Sequence, residues 1–267
     1  MGKRVLITGC STGIGRALAA ELTGRGYEVI ATARNLDDLE GLSVAEKLCL
    51  DVTSDVSTAA AVAKAGRVDI LVNNAGIGLW GPAELVPLEV AKRLFEVNVF
   101  GPMRMHALVL PQMRERGEGM IVQVSSLAGR TAGPLVGHYA ATKHALEAMS
   151  CALRVELAAF GIKVAIVELG AVESDFGRNR ATVAGRGYER VLQHFTSKLN
   201  GSRAAAVSSA DTARAIADVI AAGAPHLIEV PDPTARAMID ARLSMTPEAL
   251  CAQLLDGLAP EPVSAGA

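Results

Sequence analysis

Tyr139 and Lys143 are the residues of this chain whose types and spacing most invite a chemical reading. A helix through Tyr139-Ala140-Ala141-Thr142-Lys143 sets a phenol and an ammonium on one face, one turn apart. An ammonium beside a phenol favours the phenolate and lowers the tyrosine pKa from its usual value of about 10. Such a group can exchange a proton with an alcohol or a ketone near neutral pH. Ordinary surface helices carry the same spacing, so the pair gains meaning only from its surroundings. Other chemistries have little to stand on. His106, His138, His144, His194 and His226 lack H-E-x-x-H spacing, and Cys10, Cys49, Cys151 and Cys251 form no C-x-x-C. No metal site is expected, and the thiols read as reduced.

The elements that must position this pair alternate between strands and helices. Arg4 to Thr8 is a short apolar run, read as a buried strand rather than as a signal peptide. It enters Gly9-Cys10-Ser11-Thr12-Gly13-Ile14-Gly15 and then a helical pattern to about Arg25. Strand, glycine loop and helix together place a pyrophosphate on a helix N-terminus, where free N–H groups and the positive dipole end meet the anion. Cys10, ahead of that N-terminus, would favour its thiolate if exposed, and bound cofactor would then shield it from alkylation. A buried, inert sulfur is the alternative.

Further strands follow at Tyr27–Ala33, Lys47–Leu50, Val68–Val72, Met120–Val124, Ile162–Leu169 and His226–Val230. Polar or small residues sit at their ends: Arg34, Asp51-Val52, Asn73-Asn74-Ala75-Gly76, Ser125-Ser126, and Gly170 with Val172 and Ser174 beyond it. One long helix is expected over Pro87–Met113, bent at Gly101-Pro102, with Asn98 on its apolar face in need of partners. A second helix starts near Tyr139 and runs to about Phe160. Residues 175–206, which hold Arg178, Arg180, Arg186, Tyr188, Arg190 and Phe195, have loose patterning and read as a mobile lid with some helix. A helix capped by Asp211 or Ser209 covers Ser209–Ala222, Ala237–Leu255 is partly helical, and 259–267 reads as a disordered tail. The pattern predicts an α/β fold: one doubly wound (Rossmann) domain over residues 1–258, with about seven parallel strands and helices on both faces.

The 267 residues are 50% hydrophobic, enough for one large core. A net charge of −2 and few aromatics give no reason to expect nucleic acid, and no apolar run is long enough to span a membrane.

Taken together and in order, Thr8-Gly9-x-x-x-Gly13-x-Gly15, Asn73-Asn74-Ala75-Gly76, Asn98, Ser126 and Tyr139-x-x-x-Lys143 resemble the short-chain dehydrogenase/reductase family. The resemblance is to its single-domain branch, nearest in look to retinol and 17β-hydroxysteroid dehydrogenase-like members. It covers about Lys3 to Phe176 and the last strand. It implies Tyr139 as catalytic acid/base, and Lys143 as holder of the nicotinamide ribose that lowers the tyrosine pKa. It implies Ser126, thirteen residues before Tyr139, as the hydroxyl that binds the substrate oxygen, and Asn98 as anchor of a proton-relaying water. The cofactor would lie along Gly9, Ser11, Thr12, Gly13, Ile14, Gly15, Arg34, Asp51, Val52, Asn74, Ala75, Gly76, Val172 and Ser174, besides Tyr139 and Lys143. Leu169-Gly170 stands where the family commonly has Pro-Gly, which leaves that turn freer. Members that use NAD carry an acidic residue at the end of the second strand. Ala33 stands there, followed by Arg34, whose guanidinium suits a 2′-phosphate, so NADP(H) is expected over NAD(H).

The expected activity is hydride transfer between NADP(H) and an alcohol or carbonyl compound in a cytoplasmic homodimer or homotetramer. Leu79, Trp80, Leu127, Leu135, Val136, His138, Val172 and Phe176 form a mainly apolar candidate pocket, which suits a steroid, retinoid, fatty or aromatic substrate. A non-catalytic, nucleotide-binding regulator of the same fold is the alternative, although such proteins commonly lack the tyrosine or the lysine. A nucleotide-sugar epimerase would want a larger C-terminal substrate domain.

Overall fold

The computed structural model describes residues 2–174, 176, 180–183, 187–203, 206–256 and 258. The expected tail at 259–267, and Arg178 and Arg186 of the expected lid, lie outside the described residues.

Seven strands form one parallel sheet. They are Arg4–Ile7 (β1), Glu28–Ala33 (β2), Glu46–Cys49 (β3), Ile70–Asn73 (β4), Gly119–Val124 (β5), Ile162–Val167 (β6) and Ile228–Glu229 (β7). Their spatial order is β7-β6-β5-β4-β1-β2-β3. Ile7 at the end of β1 pairs with Ala31 of β2 on one side and Val72 of β4 on the other. The chain departs in opposite directions from β1, so the crevice above β1 and β4 is the switch point where such sheets take ligands.

Both faces of the sheet are buried, which is why its strands read as apolar runs rather than as alternation. Val5 and Ile7 of β1 point into one core with Val29, Val72 and Val122; Leu18 and Leu22 of helix α1 (Gly13–Gly24) cover that face together with Ile216 and Ile220. Leu6 points the other way, with Ile30, Leu71, Ile121 and Val164, into a core closed by helix α2 (Asp55–Ala65) and by Met105, Val109 and Met113. The doubly wound architecture expected from the alternation is therefore present.

The long helix expected over 87–113 proves to be three segments. Leu88–Phe95 (α3) and Gly101–Arg116 (α4) are joined by a π-helical turn at Glu96–Phe100. The regular helix is interrupted before Gly101, by the π-turn that holds Asn98, and α4 runs three residues beyond Met113. The helix that carries Tyr139 spans Gly137–Glu156 (α5), with a 3-10 turn at Ala158–Phe160.

Within the expected lid, Ala181–Thr182 pairs with Leu79–Trp80, and Glu189–Arg203 is helical (α6). The following helix, Ser209–Ala221 (α7), is capped by Ser208, whose hydroxyl accepts from Asp211 N at 3.0 Å. Neither Ser209 nor Asp211 is the cap; Asp211 occupies the first turn. Pro233–Leu243 (α8) and Pro247–Leu255 (α9) end the described chain. Among the described residues no helix is long and apolar enough to cross a membrane.

Candidate active site

The glycine loop is shaped by what packs against it. Gly9 has φ +76, and a Cβ there would lie 2.9 Å from Ala75 Cα. A Cβ on Gly15 would lie 2.2 Å from Gly9 O and 2.4 Å from Asn74 Nδ2. Larger residues would force the loop off the end of β4. Asn74 Nδ2 donates to Thr8 O and Gly9 O, both at 2.9 Å. Thr8 Oγ1 in turn accepts from Asn74 N at 3.1 Å and Ala75 N at 3.0 Å. Asn74, just past the end of β4, is thus the clamp that fixes the loop, while Asn73 is bound to His106.

Helix α1 begins beneath this loop without a cap. Its N-cap Thr12 makes no side-chain bond to the first turn, and no acidic residue stands there. At α2, by contrast, Ser54 accepts from Ser57 N and Asp55 adds a carboxylate. The orphan N–H groups of α1 are therefore left for an anion. Ser11 and the exposed Thr12 line the loop, while Ile14 packs down into the core. Ser174 approaches from the far side, its Cβ 3.3 Å from where a Cβ on Gly13 would stand. Beyond β2, Ala33 is buried and Arg34 is exposed, its guanidinium without a hydrogen bond or ion pair among the described residues. Partial burial tends to raise the Asp51 pKa, but two bonds from Thr53, with Arg93 and Arg34 nearby, hold that carboxyl below its usual value. Val52 is buried under Gly101. Uncapped helix and glycine cradle together fit a dinucleotide, with the exposed Arg34 just beyond the end of β2.

The side chains expected to react meet beyond β5. Ser126 caps the 3-10 turn Leu127–Gly129, its Oγ accepting from Ala128 N at 3.2 Å, and its side chain stands beside the Tyr139 phenol, where it opposes the rise in that group's pKa. Lys143 is buried, its Nζ donating to Val124 O at 2.8 Å and standing 5.9 Å from the Tyr139 ring centroid. Gly76 leaves room here: a Cβ on it would be 3.4 Å from Asn98 Oδ1 and 4.0 Å from Lys143 Nζ. Asn98 itself is fully engaged. Its Oδ1 accepts from Ile77 N at 2.9 Å, and its Nδ2 donates to Ile77 O at 3.0 Å and Thr142 Oγ1 at 3.1 Å. The side chain thus ties the loop after β4 to α5.

The expected effect of Lys143 on Tyr139 needs correction. Desolvation pushes the Tyr139 pKa up to about 12, against the opposing bond from Ser126. Desolvation also pulls Lys143 down to about 8, with Glu147 opposing. Burial is the leading cause at both groups, because both hydroxyl and ammonium have left water. The phenol is held protonated. Cys10 also departs from the reactive reading. It is fully buried, its Sγ donates to Ile7 O at 3.4 Å, and desolvation raises its pKa to about 12.

The candidate pocket residues divide. Trp80, Leu135 and Val136 pack with Phe195, Val191 and Leu192 of α6. Phe176 tilts against Tyr139 at 5.8 Å, and Arg180 sits 4.2 Å from the Trp80 ring. Leu135 holds a φ of +68, rare for a β-carbon-bearing residue. Leu127 instead packs under α8 with Val230 and Ala235, and Val172 joins the core beside α1. Leu169, in the place of the usual proline, is buried, and its carbonyl accepts from Leu127 N at 2.9 Å. From the sequence, Thr8 stands in the glycine motif without a role of its own, Thr142 has none either, and a buried acidic pair, Glu147 and Glu168, is not singled out. Two glutamates on otherwise apolar faces were the available signal.

A model of the short chain dehydrogenase family matches residues 3–183. Human retinol dehydrogenase 8 is 40% identical over 187 residues, 65% of this chain and 60% of that protein. The chain spans about two thirds of the length of the curated relatives it matches. Among solved structures, a short-chain dehydrogenase from Streptomyces avermitilis superposes with a TM-score of 0.80 at 34% identity, covering 96% of both chains. A short chain dehydrogenase from Burkholderia cenocepacia in complex with NADP gives 0.78 at 25% identity, covering 97% of this chain and 98% of that one.

Proposed function

This chain belongs to the short chain dehydrogenase family, and we propose that it is a cytoplasmic, NADP(H)-dependent oxidoreductase that reduces a carbonyl group on an apolar substrate. The observation that carries this reading is the meeting of Ser126, Tyr139 and Lys143 beside an uncapped helix and its glycine cradle.

NADPH supplies the hydride. Tyr139, held protonated by burial, gives its proton to the carbonyl oxygen as charge builds there. Ser126 Oγ, already fixed by Ala128 N, holds the same oxygen. The buried Lys143 ammonium stabilises the phenolate left behind, and it does so strongly because water is excluded. Asn98 keeps Ile77 and Thr142 in place, and Thr142 Oγ1 donates to Tyr139 O at 2.7 Å. Arg34 would pair with the 2′-phosphate of a bound NADP(H). The aromatic and aliphatic wall of Trp80, Leu135, Phe176 and Phe195 favours an apolar substrate, and the likeness to a retinol dehydrogenase supports that class. Phe100, Met103, Val155 and Phe160 are exposed on or beside the long helices and support a homodimer or homotetramer, which light scattering at micromolar concentration would check.

The test is NADPH consumption against a panel of apolar ketones and aldehydes. Turnover on at least one, with none in Tyr139→Phe, is expected. Tight NADPH binding without turnover on any of them would favour the regulatory reading.

A further inference from the structure

One turn beyond Lys143 on α5 lies Glu147, 5% exposed, and directly after β6 lies Glu168, 0% exposed. The proposed chemistry uses neither. Glu147 Oε1 accepts from Ser125 Oγ at 2.5 Å. It also presses on the turn that Ser126 caps, since a Cβ on Gly129 would lie 1.9 Å from the same oxygen. Both oxygens of Glu168 are buried and find no donor among the described residues; Arg130 Nη1, at 3.8 Å, is too far to hydrogen-bond. The carboxyls of Glu147 and Glu168 lie within hydrogen-bonding reach of each other; if both were ionised they would repel and leave the Glu168 oxygens orphaned. A proton on one of them supplies the missing donor and removes the repulsion.

We infer that Glu147 and Glu168 hold one proton between them, and that this acid–carboxylate pair is a positioning device for the reacting groups. It grips Ser125, and through the next peptide bond Ser126, while keeping a single negative charge beside Lys143. The inference rests on the roles given above to Ser126 and Lys143.

The groups that face the pair come from four elements. Lys143 stands on α5, Ser125 at the end of β5, Arg130 on the loop after it, and Arg236 on α8. Burial, then the charge of Glu147, pushes Glu168 up to about 7, against Arg130 and Arg236. Burial likewise raises Glu147, against Ser125, Arg130 and Lys143. A carboxyl whose folded pKa is raised binds its proton more tightly folded than unfolded. Its stabilising contribution is full below the ordinary value of 4.5 and is lost as pH rises through about 7.

The experiment compares wild type with Glu168→Gln, a neutral isostere that donates N–H where the shared proton stood. In wild type without cofactor, infrared spectroscopy should show a protonated-carboxyl carbonyl band at about pH 6 that fades by about pH 8. Its Tm should fall by roughly 5 °C across that range. Glu168→Gln should lack the band and the fall, and its kcat should stay flat where the wild-type kcat drops by roughly tenfold. Arg130→Gln, which removes an opposing cation, should move the loss of the band to higher pH and serves if Glu168→Gln does not fold. Tyr139→Phe should keep both the band and the Tm profile, so these readouts survive even if the hydride-transfer reading fails. Absence of the band in wild type, or identical Tm profiles, would overturn the shared proton. Parallel kcat profiles in wild type and Glu168→Gln would overturn the positioning role.

Discussion

Ser125 and Ser126 are neighbours at the end of β5, yet they face opposite environments. Ser126 turns outward to Tyr139 and Ala128 N; Ser125 turns inward to the buried Glu147. Extended backbone puts successive side chains on opposite faces. One peptide therefore links the surface proposed to meet substrate with a buried polar cluster. The outward serine should govern rate and the inward one stability. Equal shifts of rate and stability in the two serine variants would show that the two environments are less separate than the geometry makes them.

The largest effects belong to the outward side. Tyr139→Phe removes the proton donor and should lower kcat by roughly 10²–10⁴-fold with cofactor binding nearly intact. Ser126→Ala should follow it in kcat with an almost unchanged Tm. Ser125→Ala should do the reverse. It leaves a buried glutamate oxygen without its donor and should destabilise by about 1–3 kcal/mol, with kcat reduced far less than in Ser126→Ala. Single-turnover kinetics and thermal melts on the two alanine variants make the comparison directly. Equal kcat losses would break it.

Next in size is the choice of cofactor. A guanidinium paired with a 2′-phosphate is worth about 10- to 150-fold in kcat/KM for NADPH over NADH. The double variant Ala33→Asp with Arg34→Ala should reverse that order, because a carboxylate at the end of β2 would repel the phosphate. Equal kcat/KM values in wild type would show that Arg34 is only a solvated charge.

Lys143 crosses the boundary between the two sides. Its pKa, lowered to about 8 by desolvation, means that the fold disfavours the charge it carries at neutral pH. The sign follows from proton counting: between about pH 8 and 10.5 the unfolded chain holds more protons on this group, so its contribution to stability improves as pH rises through that window. Lys143→Met should therefore abolish turnover while raising stability at pH 7 by about 1–3 kcal/mol, less whatever Glu147 loses with its neighbouring cation. A lower Tm than wild type would mean that the bond to Val124 O outweighs desolvation.

The outward side was far more legible in the sequence than the inward one. Gly9, Gly13 and Gly15, Asn74, Ser126 and the Tyr139–Lys143 pair each sit at the end of a strand or the start of a helix, where residue type reports local backbone need. Their order along the chain carries the fold. Glu147 and Glu168 are ordinary helix and strand-end residues until β5, β6 and α5 bring them together, and that meeting depends on long-range topology. The π-turn at Asn98 escaped because a helix and a helix with one wider turn have almost the same apolar pattern. The 175–206 segment resisted reading for another reason. Its anchor is the placement of Trp80, Leu135 and Phe195 against one another, which no local period encodes.

Cys10 gives the smallest expected effect and tests the same contrast between facing out and facing in. By sequence it stands ahead of a helix N-terminus, where a thiolate is favoured when the sulfur can reach solvent. By structure it points down into the core with Ile7, Leu18 and Val29, and its sulfur donates to Ile7 O. A buried thiol loses the hydration its thiolate needs, and the nearby Arg16 charge does not make up the difference. Of the four cysteines, Cys49, Cys151 and Cys251 are exposed. Mass spectrometry after a maleimide pulse on the native protein should therefore find label on those three and none on Cys10, with or without saturating NADPH. Activity should survive to the extent that the exposed three are tolerant of modification. Labelling of Cys10 that NADPH suppresses would mean that the glycine loop opens in solution far enough to expose its underside. In that case the clamp from Asn74 to Thr8 O and Gly9 O would be weaker than its geometry implies.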